Sequence, residues 1–155
     1  VMTATIIHLT IEGHKQGAFK GDVAGKGKAN VIRCLTYSHA VTVAQGSGAG
    51  GGAGVGKAQH YPIVVQKAIN HTSPQIMQAL LQGEALKTVR IELRNATKLL
   101  YTITLSEAFI TRVQHLVPQP DATPDAVEDV EFTAQKIEWT SADGKTVASD
   151  RAGKV

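Results

Sequence analysis

The segment TVRIELRNATKLLYTITLSEAFITRV, residues 88–113, predicts two β-strands joined by a short turn. Its first part alternates strictly, since Val89, Ile91 and Leu93 fall on one face of a strand and charged residues fall on the other. The turn N-A-T-K (95–98) separates it from a second run that is rich in β-branched and aromatic residues. Because alternation at period two is typical of strands with one buried face, the segment indicates an antiparallel sheet.

Further strand signals lie on both sides of this segment. They are TIIHLTI (5–11), VIRCLTYSHAVTVA (31–44), YPIVVQKA (61–68) and VEDVEFTAQKIEWTS (127–141). The last of these runs into Asp-Gly, which is a strong signal for a tight turn. Six or seven strands with one short helix predict a mainly β fold, either a closed barrel or a sandwich, and not an α/β fold.

The helix is predicted in SPQIMQALLQG (73–83). Ser73 is a preferred N-cap, Pro74 suits the first helical position, and Gly83 can adopt the left-handed conformation that ends a helix. No G-x-S-x-G surrounds Ser73, so we interpret it as a cap and not as a nucleophile. Four apolar residues form one stripe that we expect to lie on the sheet: Ile76, Met77, Leu80 and Leu81.

The composition suits a single domain that spans residues 1–155, with 43% hydrophobic residues. Cys34 is the only cysteine, which excludes an intramolecular disulfide, and its setting in VIRCLTY predicts a buried structural thiol. No stretch approaches the roughly 20 apolar residues of a membrane span, so we expect no membrane insertion. The N-terminal residues have neither a basic start nor a small-residue cleavage site, so we expect no cleaved signal peptide.

The formal charge of +3 is unevenly distributed. Residues 1–57 hold six Lys or Arg against two acidic residues, a net charge of +4, whereas the remaining residues carry −1. Four of the lysines lie in the glycine-rich segment 14–30, which we interpret as a solvated loop because Phe19 is its only aromatic residue. A nucleic-acid-binding β-barrel that uses this basic half remains the alternative function.

The glycine-rich segment GSGAGGGAGVGKA (46–58) contains G-x-x-x-x-G-K, the pattern of a phosphate-binding loop. Such a loop also needs Ser or Thr after its lysine to hold Mg²⁺, and it must open a helix. Here Ala58 follows Lys57, and a predicted strand comes next. We therefore interpret residues 46–57 as a flexible linker between two strands that pair, VTVA (41–44) and YPIVV (61–65), and an NTPase is the weakest candidate.

No other pattern of catalytic or metal-binding residues stands out. The six histidines show no H-E-x-x-H and no paired metal-site spacing, although two of them can still meet in the fold. The acidic residues of VEDVEF (127–132) follow a proline-rich loop and indicate the solvated start of a strand. We therefore expect no enzymatic activity, no metal and no cofactor.

An ordered set of landmarks resembles one family. They are L-x-I-x-G (9–13), the long glycine loop ending in Gly-Lys, T-S-P opening the helix that Gly83 closes, TITLSEAFIT (102–111), and VEDVEF followed by K-I-E-W (136–139). Together they are similar to the haemolysin-coregulated protein (Hcp) family, the tube proteins of bacterial type VI secretion. The resemblance runs from about Met2 to Trp139.

The resemblance implies a small β-barrel of two packed antiparallel sheets with the helix, about residues 73–83, on its side. Proteins of this family form hexameric rings that stack into a hollow tube, which a contracting sheath drives out beneath a spike protein. The implied partners are further copies of the chain, spike, sheath and small effectors in the bore, and no nucleic acid. The resemblance also implies assembly in the bacterial cytoplasm, followed by secretion to the extracellular space or a target cell.

Two sets of residues are candidate sites. In the family the long loop reaches toward a neighbouring ring, which implies a stacking role for Gly50, Gly51, Gly52, Gly54 and Lys57. Polar strand faces supply a candidate bore-lining set, namely Thr36, Ser38, Thr102 and Thr104. The chain departs from the family pattern in two places: segment 14–30 is unusually rich in Gly and Lys, and the tail after residue 140 is short, so we expect no fused effector domain.

Overall fold

The computed structural model describes residues 4–45, 55–121 and 123–151, and it is mainly β. In chain order the elements are β1 (Ile6–Gly13), β2 (Gly17–Ala18), β3 (Ile32–Cys34), β4 (Thr36–Ser38), β5 (Val41–Gln45), β6 (Val55–His60), β7 (Ile63–Ala68), α1 (Ser73–Leu81), β8 (Leu86–Arg94), β9 (Leu99–Leu116), β10 (Val127–Ser141) and β11 (Val147–Asp150). No helix within these ranges is long and apolar enough to cross a membrane.

Nine strands of the described ranges form one antiparallel sheet, in which the order of neighbours is β2, β1, β8, β9, β10, β7 and β4. β3 also pairs with β1, and β11 pairs with β10. The two strands predicted in residues 88–113 are confirmed as β8 and β9. Their buried faces meet in register, with Val89 opposite Leu105 and Ile91 opposite Ile103. The longest strands, β9 and β10, lie side by side at the centre of the sheet.

Residues 32–38 join the two ends of this sheet. β3 pairs with β1 at one end and β4 pairs with β7 at the other. Between them, Leu35 donates its backbone N–H to the carbonyl of Gln66 at 2.6 Å. The sheet therefore curls around its core, but the strand segment that joins its ends changes partner at Leu35. The prediction of a mainly β fold with two antiparallel sheets and one short helix is confirmed, whereas the barrel is not closed.

In the described residues, the second sheet consists of β5 and β6. The expected pairing of VTVA with YPIVV is wrong, because β5 pairs with β6 while β7 pairs with β4 and β10. Pro62 lacks a backbone N–H for a ladder and separates β6 from β7. Lys57 lies in β6 and not in a linker, whereas four candidate stacking residues lie outside the described ranges: Gly50, Gly51, Gly52 and Gly54.

The core lies inside the curled sheet and is almost entirely aliphatic. Its fully buried members include Leu9, Ile11, Ile91, Leu105, Val130 and Phe132. Cys34 lies among them, 2% exposed, as the sequence predicted. Burial raises the pKa of its thiol to about 12, which keeps it protonated at neutral pH.

The segment 14–30 is exposed or half-buried except at Phe19, as a solvated loop should be, but it is attached to the body at several points. Phe19 is fully buried in the core. The buried carboxylate of Glu84 accepts the backbone N–H groups of Lys15 at 2.9 Å and Gln16 at 2.8 Å, and the side-chain amide of Gln16 at 3.0 Å. A carboxylate with three donors holds the start of the segment in place.

Helix α1 covers one side of the core, but with a narrower stripe than the sequence predicted. Ile76 and Ala79 are buried and Leu80 is partly buried against the core, whereas Leu81 is 74% exposed. The helix therefore turns Leu81 toward solvent, and the expectation that this residue lies on the sheet is wrong.

The two ends of α1 differ in how well they match the sequence. At the C-terminus Gly83 has a φ of 59°, and the N–H of Glu84 reaches the carbonyl of Ala79 at 2.9 Å, which is the Schellman arrangement. At the N-terminus Pro74 lies in the first turn, but the cap residue is Thr72, whose side chain makes no capping hydrogen bond to the described helix. Ser73 as an N-cap is therefore wrong, because its hydroxyl has a buried partner elsewhere.

Candidate functional site

The strands β5 and β6 form an exposed two-stranded ribbon, which we call the arm (Val41–Gln45 and Val55–His60). Its register places Val41 opposite His60 and Val43 opposite Ala58. Neither strand pairs with the nine-stranded sheet in the part of the chain that the structure describes. Val41 and Val43 are 43% and 45% exposed and fall on one face of the ribbon. An isolated two-stranded ribbon is only marginally stable in water. A partner that covers this apolar face would therefore stabilise the arm.

A cleft of about 840 Å³ lies between the base of the arm and the strands β9 and β10. Apolar side chains such as Phe109 and Ile63 line it, and Lys57, Glu107 and Arg151 add charge. On this side of β10, pairing with β7 ends at residue 132 and pairing with β11 begins at residue 137. Within the described chain, residues 133–136 of β10 thus present an unpaired backbone edge to the cleft, which is a surface that an extended segment can pair with.

Glu107 interrupts β9 beside this cleft. Its φ is 49°, a left-handed conformation that is rare for a residue with a side chain. Neither Lys87 of β8 nor Gln135 of β10 pairs with it. Its carboxylate lies 3.1 Å from His14 Nε2. Strained residues of this kind persist only where the surrounding structure holds them in place, and they are concentrated at functional sites. The strain at Glu107 therefore supports the cleft as a candidate functional site.

Three aromatic rings stack where the arm joins the body. The ring centroids of His39 and His60 are 5.5 Å apart, and each lies just over 6 Å from the ring of Trp139 in nearly parallel planes. His60 Nε2 bonds the carboxylate of Asp150 at 2.7 Å. His39 Nε2 and His60 Nδ1 are buried and have no hydrogen-bond partner within the described residues. The sequence had left open that two histidines meet, and these two do.

Two groups of this cluster, His39 and Asp150, have shifted pKa values. The pKa of His39 is lowered, mainly because burial disfavours its charged form and secondarily because His60 is close. The pKa of Asp150 is lowered because its carboxylate is hydrogen-bonded to His60. No group of three His, Cys, Asp or Glu in the described ranges could hold a metal ion.

Sequence reasoning also missed a buried ionic cluster under α1. Lys67 and Glu128, both with fully buried side chains, form an ion pair at 2.5 Å. Ser73 donates its hydroxyl to Glu128 at 2.6 Å and accepts the backbone N–H of Asn70 at 3.0 Å. The signal was in the alternation, because Lys67 shares a strand face with Ile63 and Val65. The acidic residues of VEDVEF were interpreted as solvated, which is wrong for Glu128.

This cluster contains the elements of a Ser–Lys catalytic pair, since Lys67 Nζ lies 3.3 Å from Ser73 Oγ. A nucleophile must, however, reach its substrate, and all three side chains are enclosed. The hydroxyl proton of Ser73 is directed to Glu128 and not to the lysine. The arrangement therefore satisfies buried charges and holds the start of α1 against β7 and β10, which is a structural task.

The sequence-predicted polar residues do not form one cluster. Thr36 and Ser38 are exposed on β4, on either side of the inward-facing Tyr37. Thr102 and Thr104 are partly exposed on β9 and alternate with buried residues. β7 and β10 separate the two strands. The four hydroxyls are thus two pairs on the outer face of the sheet, with two strands between them.

The structure does not support a phosphate-binding loop at Lys57 or a nucleic-acid-binding surface on the basic segment 14–30. β6 continues after Lys57 as a strand, so the described residues contain no helix N-terminus there to receive a phosphate. Lys20 and Lys26 are exposed, but Phe19, the aromatic residue of segment 14–30, is in the core and offers no stacking surface for a base.

Comparison with known proteins gives consistent matches. The family model described as "Type VI secretion system effector, Hcp" matches residues 8–140. The "Major exported protein" of Pseudomonas aeruginosa is 30% identical and aligns over 95% of each chain. Among solved structures, an Hcp protein crystal structure has a TM-score of 0.82 and 25% identity, covering 96% of this chain and 99% of its own. The secreted protein Hcp3 from Pseudomonas aeruginosa has a TM-score of 0.76 and 25% identity, covering 96% and 98%.

Proposed function

The chain belongs to the Hcp family of type VI secretion systems, and from this premise we propose that it is a structural tube subunit. In this proposal six copies form a ring, and rings stack into a hollow tube. The tube leaves the bacterium after assembly in the cytoplasm. The name of the Pseudomonas relative, an exported protein, supports the export step.

The observation that carries the proposal is the arm. Its apolar face is exposed in the single chain, and its strands make no ladder with the body in the described residues. A ribbon of this kind contributes little to the stability of its own domain, and it becomes useful when another copy covers it. We assign the arm, with Lys57 on β6 and the glycines 50, 51, 52 and 54 between its strands, to contacts with a neighbouring ring.

The outer polar faces of β4 and β9 supply the candidate bore surface in this proposal. Thr36, Ser38, Thr102 and Thr104 present neutral hydroxyls, which let varied cargo pass without strong binding. The proposed partners are further copies, spike and sheath proteins and small effectors, and no catalytic role is part of the proposal. A cysteine at Ser38 should react slowly with bulky thiol reagents in intact tubes and rapidly in isolated rings. Equal rates in both would place Ser38 outside the bore.

Native mass spectrometry tests the ring. The expected result is a mass six times that of the chain in the absence of nucleic acid, and stacks of such rings in negative-stain micrographs at higher protein concentration. A monomer at every concentration would contradict the proposal. DNA binding with a steep dependence on salt, without rings, would instead favour a nucleic-acid-binding protein.

A further inference from the structure

The stack at the base of the arm suggests how assembly could be controlled. We propose that His39, His60, Trp139 and Asp150 form a proton-sensitive clamp, which seats the arm on the body at neutral pH and releases it in mild acid. The clamp itself is a property of the single chain, and only its effect on ring stacking rests on the proposed tube function.

The positions of these residues fit a clamp. His39 lies just before β5 and His60 is the last residue of β6, so the two histidines stand at the two chain connections of the arm. Trp139 belongs to β10 and Asp150 ends β11, so both receiving groups belong to the body. Next to the stack, Tyr61 donates its backbone N–H to the carbonyl of Ala40 at 3.0 Å and closes the base of the arm. Whatever separates the rings therefore changes how the arm sits on the body.

The cluster can compensate one added positive charge but not two. A proton on His60 is compensated by the carboxylate of Asp150 at 2.7 Å, and an imidazolium over an indole ring is itself favourable. A second proton on His39 finds no acceptor among the described residues, because its Nε2 is buried and unpartnered. It would also place two positive rings 5.5 Å apart. Charging His39 is therefore the event that opens the stack.

The neighbouring charges do not remove this conflict. Besides Asp150, the charged or titratable groups of the adjoining cleft are Lys57 of β6, Tyr61, Glu107 of β9 and Arg151 after β11. Lys57 and Arg151 are cationic, and Glu107 already faces His14. Asp150, the acceptor of the cluster, is already hydrogen-bonded to His60.

The sign of the pH response follows from the pKa of His39. That pKa is lowered from 6.5, first by burial and then by His60. The released arm exposes His39 to water and returns its pKa toward the ordinary value, so the released state binds more protons below about pH 6.5. Acidification through this range therefore favours release, and neutral pH favours the seated arm.

Trp139 provides the test, because it is the only tryptophan of the chain. Its fluorescence, followed from about pH 8 to pH 5, should shift in one step as the stack opens. His39→Gln should lose this step. His71→Gln, a matched control at an exposed histidine that bonds Gly21, should titrate like the wild type. Identical profiles for the wild type and His39→Gln would overturn the clamp.

Sedimentation of the same proteins connects the clamp to assembly. Wild-type stacks should be lost in mild acid and retained by His39→Gln, while the His71→Gln control behaves as the wild type. Stacks that persist at every pH, with no fluorescence step, would refute the clamp and leave the tube function standing. A fluorescence step in a chain that never forms rings would support the clamp and contradict the tube function.

Discussion

The carboxylate of Glu84 occupies the space that a side chain on Gly13 would need. A Cβ on Gly13 would overlap Glu84 Oε2, although Gly13 has no positive φ that would itself demand glycine. Replacing Gly13 by alanine should therefore displace the carboxylate from its backbone donors and destabilise the fold by about 1–3 kcal/mol. Urea unfolding measures the difference. Wild-type stability of Gly13→Ala would show that the carboxylate moves aside at no cost.

Glu84 should also make the fold sensitive to acid. Burial raises the pKa of Glu84, but the hydrogen bonds from Gln16 and Lys15 lower it by more, so its net pKa lies below 4.5. A lowered carboxyl pKa stabilises the folded state above the ordinary value and loses that contribution as pH falls through the folded value. Glu84→Gln should be less stable than the wild type at neutral pH and should lose less stability on acidification. Parallel stability curves for the two proteins would contradict this assignment.

The buried pair of Lys67 and Glu128 should behave asymmetrically. Lys67→Met leaves a buried carboxylate without its cation and should cost roughly 3–5 kcal/mol. The double variant Lys67→Met/Glu128→Met removes both charges and should recover most of that loss, since apolar replacements of buried pairs are often neutral. Thermal and denaturant unfolding of both variants test the pair. A double variant as unstable as the single one would show that the ions are not coupled.

Two residues of α1 offer a matched comparison of the helix faces. Ile76 is fully buried and Leu81 is 74% exposed. Ile76→Ala should destabilise the isolated chain by about 2–5 kcal/mol, whereas Leu81→Ala should change its stability by about 0.5 kcal/mol or less. Similar losses at both positions would mean that Leu81 is covered within the single chain.

Shortening the arm separates folding from stacking. Replacement of residues 46–54 by a two-residue turn keeps β5 and β6 and should leave the domain folded, because doubling a loop length costs only about 0.6 kcal/mol. Rings should persist in native mass spectra if their contacts come from the body, while stacked tubes should be absent from micrographs. The control is a variant of wild-type length in which Ser replaces each Gly of residues 46–54. Normal tubes from the shortened chain would make the segment a passive linker.

Local periodicity was sufficient to predict most strands. The predictions that were wrong concern residues whose structure depends on contacts with distant parts of the chain. The alternation around Ile91 was sufficient to find β8 and β9, since each residue reports its own face. β6 was missed because V-G-K-A-Q-H has little β propensity and is a strand only through its pairing with β5. Ser73 was misassigned for a similar reason, because its partner Glu128 lies 55 residues further along the chain.

The cluster at the arm base shows the same limit. His39, His60 and Trp139 come from three separate segments, and no spacing in the sequence connects them. They meet because β5 pairs with β6 so that residue 60 lies opposite residue 41, while β11 brings Asp150 alongside β10. The register of four strands is needed to place these side chains together, and the sequence pattern specifies faces but not registers of this kind.

The thiol of Cys34 is not expected to react when the redox state of its surroundings changes. The thiolate is the form that attacks disulfides and is oxidised, and a thiol whose pKa is raised to about 12 by burial stays protonated at neutral pH. It is also the only cysteine of the chain and is 2% exposed. If the chain is exported as proposed, it can therefore keep one covalent structure in reducing and in oxidising surroundings, without disulfide cross-links between copies.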